Sequence, residues 1–395
     1  MQRDEQSTGS TGEVFRAFFL LGLTSFGGPI AHLGYFRDAF VVRRRWISDA
    51  AFGDLVALCQ FLPGPASSQV GFLLGVMRAG GLAGGLAAFL GFTLPSALVL
   101  AAFGLGASHL SGPLADGMIH GLKLVAVAVV AQAVLGMART LAPDGPRAAI
   151  AFLALALTLL WAVAASQVLA ICLGAAAGLV LCRGAQAAKP EHLHMPISRA
   201  MGTLALGLAL LLLAGALLVP ATDDGLSAIA AACYRAGALV FGGGHVVLPL
   251  LDTSFVQSGW MSGADFLAGY GLAQAVPGPL FTFAAYLGAV TQGPAGALAA
   301  TLAIFLPGLL LAYGAMPFWG ALRRAPNAQA AMHGANAAVV GVLAAALYSP
   351  VWTSAVGTPL DFVLAVGGFL LLTVWRAPPL AVVVLMGVLG GLLAA

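Results

Sequence analysis

The chain has 395 residues, of which 61% are apolar and 8% are charged, whereas about 25% of the residues in an ordinary soluble domain are charged. With a mean hydropathy of +0.99, it cannot be a soluble enzyme, a disordered chain or a nucleic-acid binder, since none of these keeps so much apolar surface out of water. The net charge of +3 indicates no anionic macromolecular partner, so the composition predicts a polytopic membrane protein whose main partner is the lipid bilayer.

The chain begins with a polar tail, residues 1–13, which is acidic rather than basic and so differs from a signal peptide. Two apolar regions further along are interrupted at short intervals by glycine and proline, which predicts short helices joined in pairs. The predicted hairpins are 14–26 with 29–42, 49–62 with 65–77, 226–241 with 246–257, and 264–276 with 279–290. The sequence leaves open whether these hairpins re-enter the membrane or cross it.

The remaining apolar segments approach the 20 or so residues that cross a bilayer. The predicted spans are 81–108, 117–139, 147–163, 166–183, 200–219, 295–320, 331–348, 359–374 and 378–395. They divide the chain into four parts, which are a cytoplasmic tail (1–13), a first repeat (14–183), a linker with one transmembrane helix (184–225) and a second repeat (226–395).

The two halves form an internal repeat, because four motifs recur in the same order at a nearly constant offset. The matching motifs are Ser25-Phe26-Gly27-Gly28-Pro29 with Val240-Phe241-Gly242-Gly243-Gly244, Trp46-Ile47-Ser48 with Trp260-Met261-Ser262, Gln60-Phe61-Leu62-Pro63-Gly64-Pro65 with Gln274-Ala275-Val276-Pro277-Gly278-Pro279, and His120-Gly121 with His333-Gly334. Four ordered matches at one spacing are a poor fit to coincidence.

The arginines predict that the second repeat is inverted, since cytoplasmic loops carry the excess of basic residues. Arginines 43–45, Arg139 and Arg147 have no basic counterpart in the second half, whereas arginines 323–324 and Arg376 have none in the first. We therefore expect an all-α polytopic fold of two inverted-topology repeats, each with two broken or re-entrant helical hairpins plus four transmembrane helices, joined by one linking transmembrane helix. The expected location is the bacterial inner membrane, with a cytoplasmic N-terminus and a periplasmic C-terminus.

The breaks in the hairpins are the candidate site, because irregular backbone at membrane depth is tolerated only inside protein or beside a water-filled cavity. If the breaks converge, several helix N-termini offer unpaired N–H groups and positive dipole ends to an anion. Kinks that serve packing alone are the alternative. The candidate substrate-binding residues here are Ser25, Gly27, Gly28, Gln60, Gly64, Ser67, Ser68, Gln69, Gly242, Gly243, Gly244, Gln274, Gly278 and Thr282.

Two basic residues, Lys123 and Arg235, lie within apolar segments, where a charge is costly and marks a functional candidate. Each can contact the substrate or pair with a carboxylate, which would be Asp54 for Lys123 and Asp252 or Asp265 for Arg235. Arg235 can also extend its side chain to the membrane surface.

Three histidines are candidate proton carriers, because imidazole titrates near neutral pH. They are His32, His120 and His245. A hydrogen-bonded, buried imidazole without a transport role is the alternative for each. The four cysteines form no C-x-x-C pair, so we interpret them as small apolar residues and expect neither a metal nor a cofactor.

The longest motifs match a known family. They are Gly22-Leu23-Thr24-Ser25-Phe26-Gly27-Gly28-Pro29, Ala31-His32-Leu33-Gly34-Tyr35-Phe36-Arg37, Ala57-Leu58-Cys59-Gln60-Phe61-Leu62-Pro63-Gly64-Pro65-Ala66-Ser67-Ser68-Gln69 and Phe241-Gly242-Gly243-Gly244-His245-Val246-Val247-Leu248-Pro249. In these runs the chain closely resembles the chromate ion transporter family in its long, two-domain form. The resemblance implies export of chromate from the bacterial cytoplasm and chromate resistance, with sulfate as the chemically similar competitor.

The expected function is thus secondary transport of a tetrahedral oxyanion, driven by the membrane potential, with proton coupling left open. A sulfate or other oxyanion transporter is the nearest alternative. A membrane-embedded reductase would need a redox cofactor or dithiol, and a passive channel would show no saturation. The oligomeric state is open, with a homodimer as one alternative.

Overall fold

The computed structural model of the chain describes most of its residues. These are residues 9–26, 28–106, 112–161, 166–182, 197–220, 225–241, 244–322 and 325–394. Every regular element within these ranges is helical.

The first half of the chain and the linker form nine α-helices within the described ranges. They are α1 (Thr11–Thr24), α2 (Gly28–Phe36), α3 (Asp49–Phe61), α4 (Ala66–Ala79), α5 (Leu82–Gly106), α6 (Pro113–Leu141), α7 (Gly145–Leu160), α8 (Ser166–Leu181) and α9 (Arg199–Leu218). A π-helical segment, Arg37–Arg43, continues α2.

The second half follows the same order. Its helices are α10 (Leu226–Leu239), α11 (Val247–Phe255), α12 (Gly263–Ala275), α13 (Phe283–Ala315), α14 (Trp319–Leu322), α15 (Pro326–Ala346), α16 (Thr353–Ala355), α17 (Pro359–Thr373) and α18 (Pro379–Ala394). Short 3₁₀ turns precede α11 (Gly244–Val246) and α13 (Leu280–Thr282).

Equivalent helices begin in the same way in both halves. The hydroxyl of Ser48 caps α3 by accepting from the N–H of Ala51, and the hydroxyl of Ser262 caps α12 by accepting from the N–H of Asp265. Such caps satisfy N–H groups that have no partner within the helix. The Trp-x-Ser motif that marks the repeat therefore ends in a helix cap.

The described residues confirm the predicted all-helical fold, and each predicted span lies on a helix, although not all of these helices are long. Five stretches are long and apolar enough to cross a membrane. They are Leu82–Gly106, Pro113–Leu141, Arg199–Leu218, Leu280–Leu322 and Pro326–Ala355. At the other four predicted spans, α7, α8 and α18 have 16 residues and α17 has 15, fewer than the 20 or so expected for a full crossing. Irregular backbone at Gln292 and Gly293 divides α13 into two arms.

The helices pack into two bodies, each with parts from both halves. Helices α1–α5, α9–α11, α13 and α14 form the hairpin body. Helix α12 belongs by sequence to the fourth broken hairpin and lies between the bodies, since it packs on α6 and α18 as well as on α13, α5 and α11. Helices α6–α8 and α15–α18 form the bundle body, in which the last helix of each half packs on the other half, α18 on α6 and α8 on α15. The halves are therefore interleaved within both bodies.

Candidate functional site

Four breaks interrupt the hairpin body, and backbone hydrogen bonds join them across the two halves. We number them break 1 (at Ser25, after α1), break 2 (62–65), break 3 (at Val240, after α10) and break 4 (276–279). The N–H of Gly64 in break 2 donates to the carbonyl of Val240 in break 3 over 2.7 Å. The N–H of Gly278 in break 4 donates to the carbonyl of Ser25 in break 1 over 2.9 Å. Gly64 and Gly278 are equivalent in the repeat, as are Val240 and Ser25, so each half makes the same bond to the other.

The two central glycines share a backbone conformation that L-residues avoid. Their φ angles are +122° for Gly64 and +109° for Gly278, where the lack of a Cβ removes the steric cost. There is also little room, since a Cβ on Gly64 would lie 2.9 Å from the Cα of Gly308, and one on Gly278 would lie 2.7 Å from Ser96 Oγ. The Pro-Gly-Pro motif thus brings each break against the proline-containing helix of the opposite half, α13 or α5.

The N-terminus of α4 is the most polar part of this cluster. Its first turn contains Ser67 and Ser68, which are 2% and 3% exposed. His32 on α2 is fully buried and places Nδ1 3.3 Å from Ser67 Oγ. A helix of this length also contributes free N–H groups and a positive dipole end at its start. Helices α2 and α4, which follow breaks 1 and 2, are therefore linked through an imidazole and a hydroxyl.

Several buried polar atoms in this part of the hairpin body have no hydrogen-bond partner among the described residues. They include Ser25 Oγ, His32 Nε2, Ser68 Oγ and Thr93 Oγ1. Leaving a buried polar group unpaired costs about 1–3 kcal/mol, so these atoms are suited to a ligand that completes them. Hydroxyls and an imidazole N–H can all donate to an oxyanion.

Thr93 is the residue that the sequence analysis missed. It lies on α5 next to Phe92, whose ring is 5.2 Å from the His32 ring, and its side chain is 3% exposed. Only its position in the turn before a proline, Pro95, distinguishes it in the sequence. A threonine in an apolar helix does not by itself indicate a binding site, because its hydroxyl can donate to a carbonyl of its own helix.

Gln69 was expected to bind the substrate, but its amide group bonds to the backbone. Its Nε2 donates to the carbonyl of Pro63 over 2.8 Å and to that of Gly308 over 3.0 Å. The atom left without a partner is the acceptor Oε1, which would repel an anion. Gln69 therefore ties break 2 to α13 and has no free donor for an oxyanion.

The remaining predicted donors differ between the halves. The hydroxyl of Thr282 donates to the carbonyl of Pro279 over 2.7 Å. The residues before it, Leu280 and Phe281, are equivalent in the repeat to Ala66 and Ser67, so the second half has no hydroxyl at the position of Ser67. The turn that follows break 4 is consequently less polar than the start of α4, which follows break 2.

The two glutamines that precede breaks 2 and 4 are also in different environments. The Gln60 side chain is exposed, whereas Gln274 is half-buried and its Nε2 has no partner among the described residues. The same motif residue thus faces solvent or lipid in one half and protein in the other.

Arg235 lies on α10 and caps the neighbouring helix α9. Its guanidinium donates to the carbonyl of Ala216 at the end of α9, rather than to Asp252 or Asp265. The ordinary partner of that carbonyl would be the N–H of residue 220, but Pro220 has none. Arg235 therefore replaces a missing helical hydrogen bond.

Lys123 lies on α6, where the bundle body meets α12. No hydrogen bond or ion pair joins it to another described residue, so it is not paired with Asp54. It follows Leu122, whose carbonyl contacts Gly271 of α12 so closely that no Cβ would fit there. Lys123 is therefore an unpaired cation at the boundary between the two bodies.

The other two histidines have close polar partners. His120 Nε2 lies 2.6 Å from Asp361 Oδ1 near the start of α17, with 41% of its side chain exposed. His245 Nδ1 lies 2.7 Å from the hydroxyl of Tyr270 on α12. His32 alone among the three candidates lies beside the start of α4.

Three of the predicted glycines, Gly27, Gly242 and Gly243, lie outside the described residues. Gly28 opens α2 with a φ of +78°, and Gly244 opens the turn before α11. Among the described residues, no three His, Cys, Asp or Glu side chains are grouped so as to hold a metal ion.

Comparison with known proteins identifies the family. The model of the chromate transporter family matches residues 12–179 and again residues 227–392. The chain is 29% identical over 348 residues to a chromate transport protein of Pseudomonas aeruginosa. The alignment covers 84% of this chain and 79% of the Pseudomonas protein.

Two further relatives cover the chain to a similar extent. A probable chromate transport protein of Synechococcus elongatus is 30% identical over 342 residues, covering 86% of this chain and 84% of its own length. A chromate transport protein of Cupriavidus metallidurans is 26% identical over 332 residues, covering 84% and 80%. None of the solved structures matches the chain significantly. The family match, the similar length of these relatives and the apolar helices together show that this multi-pass membrane protein belongs to the chromate transporter family.

Proposed function

We propose that this protein is a secondary transporter that exports chromate across the bacterial inner membrane and so confers chromate resistance. The proposal rests on one observation. At the buried start of α4, the side chains of Ser25, His32 and Ser68 have polar atoms without a hydrogen-bond partner among the described residues. In a member of the chromate transporter family, these groups are suited to hold a tetrahedral oxyanion at membrane depth. Thr93 adds a further hydroxyl in the same part of the hairpin body.

The chemistry of chromate favours such a site. The dianion presents four acceptor oxygens, which hydroxyls, backbone N–H groups and an imidazole N–H can satisfy without a full countercharge. A potential of 100 mV, negative inside, favours outward movement of each negative charge by about 2.3 kcal/mol, or about 4.6 kcal/mol for a dianion. The membrane potential thus favours export of the dianion, before any concentration gradient is counted.

The two halves would contribute unequally to binding. Break 2 offers two hydroxyls at a helix start, whereas Thr282 in break 4 is already bonded to Pro279. Lys123 would supply positive field from the bundle body, and Gln69 would act by positioning break 2. Gln274, with a buried amide N–H, is the second half's remaining donor.

The proposed architecture is the inverted-topology repeat, with the N-terminus in the cytoplasm. The reciprocal bonds Gly64–Val240 and Gly278–Ser25 support a two-fold relation between the halves, and the placement of the arginines favours the inverted form of it. If transport is coupled to protons, His32 is the best-placed carrier, since it lies beside the start of α4.

The test is transport of labelled chromate by inverted membrane vesicles or proteoliposomes under an imposed potential. We expect saturable, potential-dependent transport. Ser68→Ala should raise the half-saturating chromate concentration about 10-fold or more, because a hydrogen bond to a charged group contributes about 1.5–3 kcal/mol. Lys123→Ala should lower the rate with membrane expression intact.

Thr158→Ala is the matched control for Ser68→Ala, because the Thr158 hydroxyl bonds the carbonyl of Ala154 within its own helix α7. Its transport should equal that of the wild type. Sulfate serves as the competitor: preferred movement of sulfate would support the alternative of a sulfate transporter. A purified protein that moves neither anion at any potential would contradict the proposed function.

A further inference from the structure

Among the described residues, the main contacts between the two bodies are made by elements of the second half. Helix α12 packs on α6 and α18, and α11 with the turn before it packs on α15. The amide of Gln167 on α8 adds hydrogen bonds to the carbonyl of Pro249 and the hydroxyl of Thr253 on α11, at 3.2 and 3.1 Å. Helix α12, α11 and the turn before α11 all belong to the second half.

The equivalent elements of the first half are not used in this way. Helix α3 packs on α4 and on the π-helical segment, and α2 packs on α4 and the same segment. Within the described ranges, neither has an interface with the bundle body comparable to that of α11 and α12. Since the halves are repeats, α3 could pack on the bundle body as α12 does, but in this structure it has no comparable interface there.

The faces of α3 and α12 differ accordingly. Gly53, Ala57 and Gln60 form one stripe on α3, and all three are exposed. The residues at the same positions of α12 are Leu267, Gly271 and Gln274, of which the first two are buried and the third is half-buried. The same helix face is therefore covered in one half and open in the other.

The repeat also identifies what would cover the open face. Gly271 of α12 contacts Leu122 of α6. The residue equivalent to Gly271 is Ala57, and the residue equivalent to Leu122, from the offset of the His-Gly motif, is Ala335 of α15. Ala335 is 3% exposed in this structure, so its present neighbours have to move away before Ala57 can reach it. Small residues at positions 57 and 335 would then allow the close approach that Gly271 allows on α6.

We propose that the exposed face of α3 is an intramolecular docking surface for α15, used when the hairpin body moves relative to the bundle body. In that second arrangement Ala57 packs on Ala335 while Gly271 leaves Leu122. The movement would carry the four breaks, which lie in the hairpin body, from access on one side of the membrane to access on the other. This last step rests on the proposed transport function, but the alternative contact itself does not.

A disulfide tests the contact without any substrate. The variant carries Ala57→Cys and Ala335→Cys, with Cys172→Ala and Cys182→Ala to remove the accessible native thiols. Gly271→Leu, added to this background, prevents α12 from packing on α6 and should raise the rate of disulfide formation at least 10-fold. Gly136→Leu is the matched control, since Gly136 is an exposed glycine of α6 with open space around it, and it should leave the rate unchanged.

A second variant covers the case in which Gly271→Leu fails to fold. Ala57→Trp adds bulk to a position that is open in this structure, so the protein should fold and still be stabilised thermally by chromate. Transport should fall to below a tenth of wild type, because the bulky side chain blocks docking on α15. Ala214→Trp, at an exposed alanine of α9 in the same body, should transport as the wild type does.

Equal disulfide rates with Gly271 and with Leu at this position would overturn the proposal, as would wild-type transport by Ala57→Trp. The two proposals can fail separately. If the wild type moves no anion but the disulfide responds to Gly271→Leu, the transport function is wrong and the docking surface stands.

Discussion

The backbone N–H of Gly64 donates to the carbonyl of Val240, 2.7 Å away in the other half of the chain. The repeat makes the reciprocal bond between Gly278 and Ser25. These two bonds join broken helices that are far apart in sequence and create the buried, polar environment at the start of α4. The site therefore depends on both halves, although its unpaired donors lie mainly in the first.

Gly64→Ala and Gly278→Ala should both impair folding and transport. Backbone strain at a positive φ costs about 1–3 kcal/mol, and the new Cβ would crowd Gly308 or Ser96. Thermal unfolding in detergent and vesicle transport would measure both effects. Gly136→Ala, in open space within α6, should instead be neutral or stabilise the helix by up to about 1 kcal/mol. Wild-type stability in both break variants would show that the positive φ is not required.

Gln69→Leu should lower stability and transport together. The substitution removes both amide donors and leaves the carbonyls of Pro63 and Gly308 without them, at a cost of about 1–3 kcal/mol for each group left unpaired. Gln69→Glu should be at least as damaging, because a carboxylate would face the same two carbonyl oxygens. The measurement is thermal unfolding beside transport kinetics. A raised half-saturating concentration with unchanged stability would instead make Gln69 a direct contact of the anion.

Arg235→Ala should destabilise the junction of α9 and α10 without changing anion affinity. The carbonyl of Ala216 would lose its charged donor, which contributes about 1.5–3 kcal/mol, and Pro220 cannot replace it. Arg235→Lys should recover part of this loss, because an ammonium group can also donate. Chromate affinity measured by thermal shift should be that of the wild type. A loss of chromate affinity in a stable Arg235→Ala protein would show instead that Arg235 contributes to anion binding.

Arg44→Cys and Ser258→Cys should be labelled from opposite sides of the membrane. The two residues are equivalent in the repeat, and both are exposed. An inverted repeat places them on different faces, with position 44 in the cytoplasm. A membrane-impermeant maleimide applied to intact cells should label only position 258, and applied to inverted vesicles only position 44. Labelling of both positions from one side would rule out the inverted topology.

Much of the fold could be predicted from local patterns. Glycine and proline marked the breaks between short helices, and the Trp-x-Ser motif marked the starts of α3 and α12, because these residues act through their own backbone geometry and caps. Each predicted span also lies on a helix, and the predicted span 359–374, for example, corresponds to α17 (Pro359–Thr373), because hydropathy is a local property of the chain. The family prediction, made from motifs at the breaks, is confirmed.

The roles of individual polar residues were harder to predict, because each depends on which acceptor lies within 3 Å. Gln69 and Ser68 are neighbours on one helix turn, yet Gln69 has both amide donors occupied and Ser68 has an unpaired hydroxyl. The position of Arg235 in an apolar segment suggested a binding-site cation, but its guanidinium donates to the carbonyl of Ala216. Thr93 carried almost no sequence signal.

The sequence by itself determined that this is a membrane protein of two repeated halves with broken helices, since hydropathy, periodicity and glycine conformation are local properties. Only the tertiary structure decided which break meets which, and which repeat of a shared motif is covered. Identical motifs such as Pro-Gly-Pro have the same local physics in both halves. Packing then makes them unequal, because α12 lies against α6 while its counterpart α3 remains open.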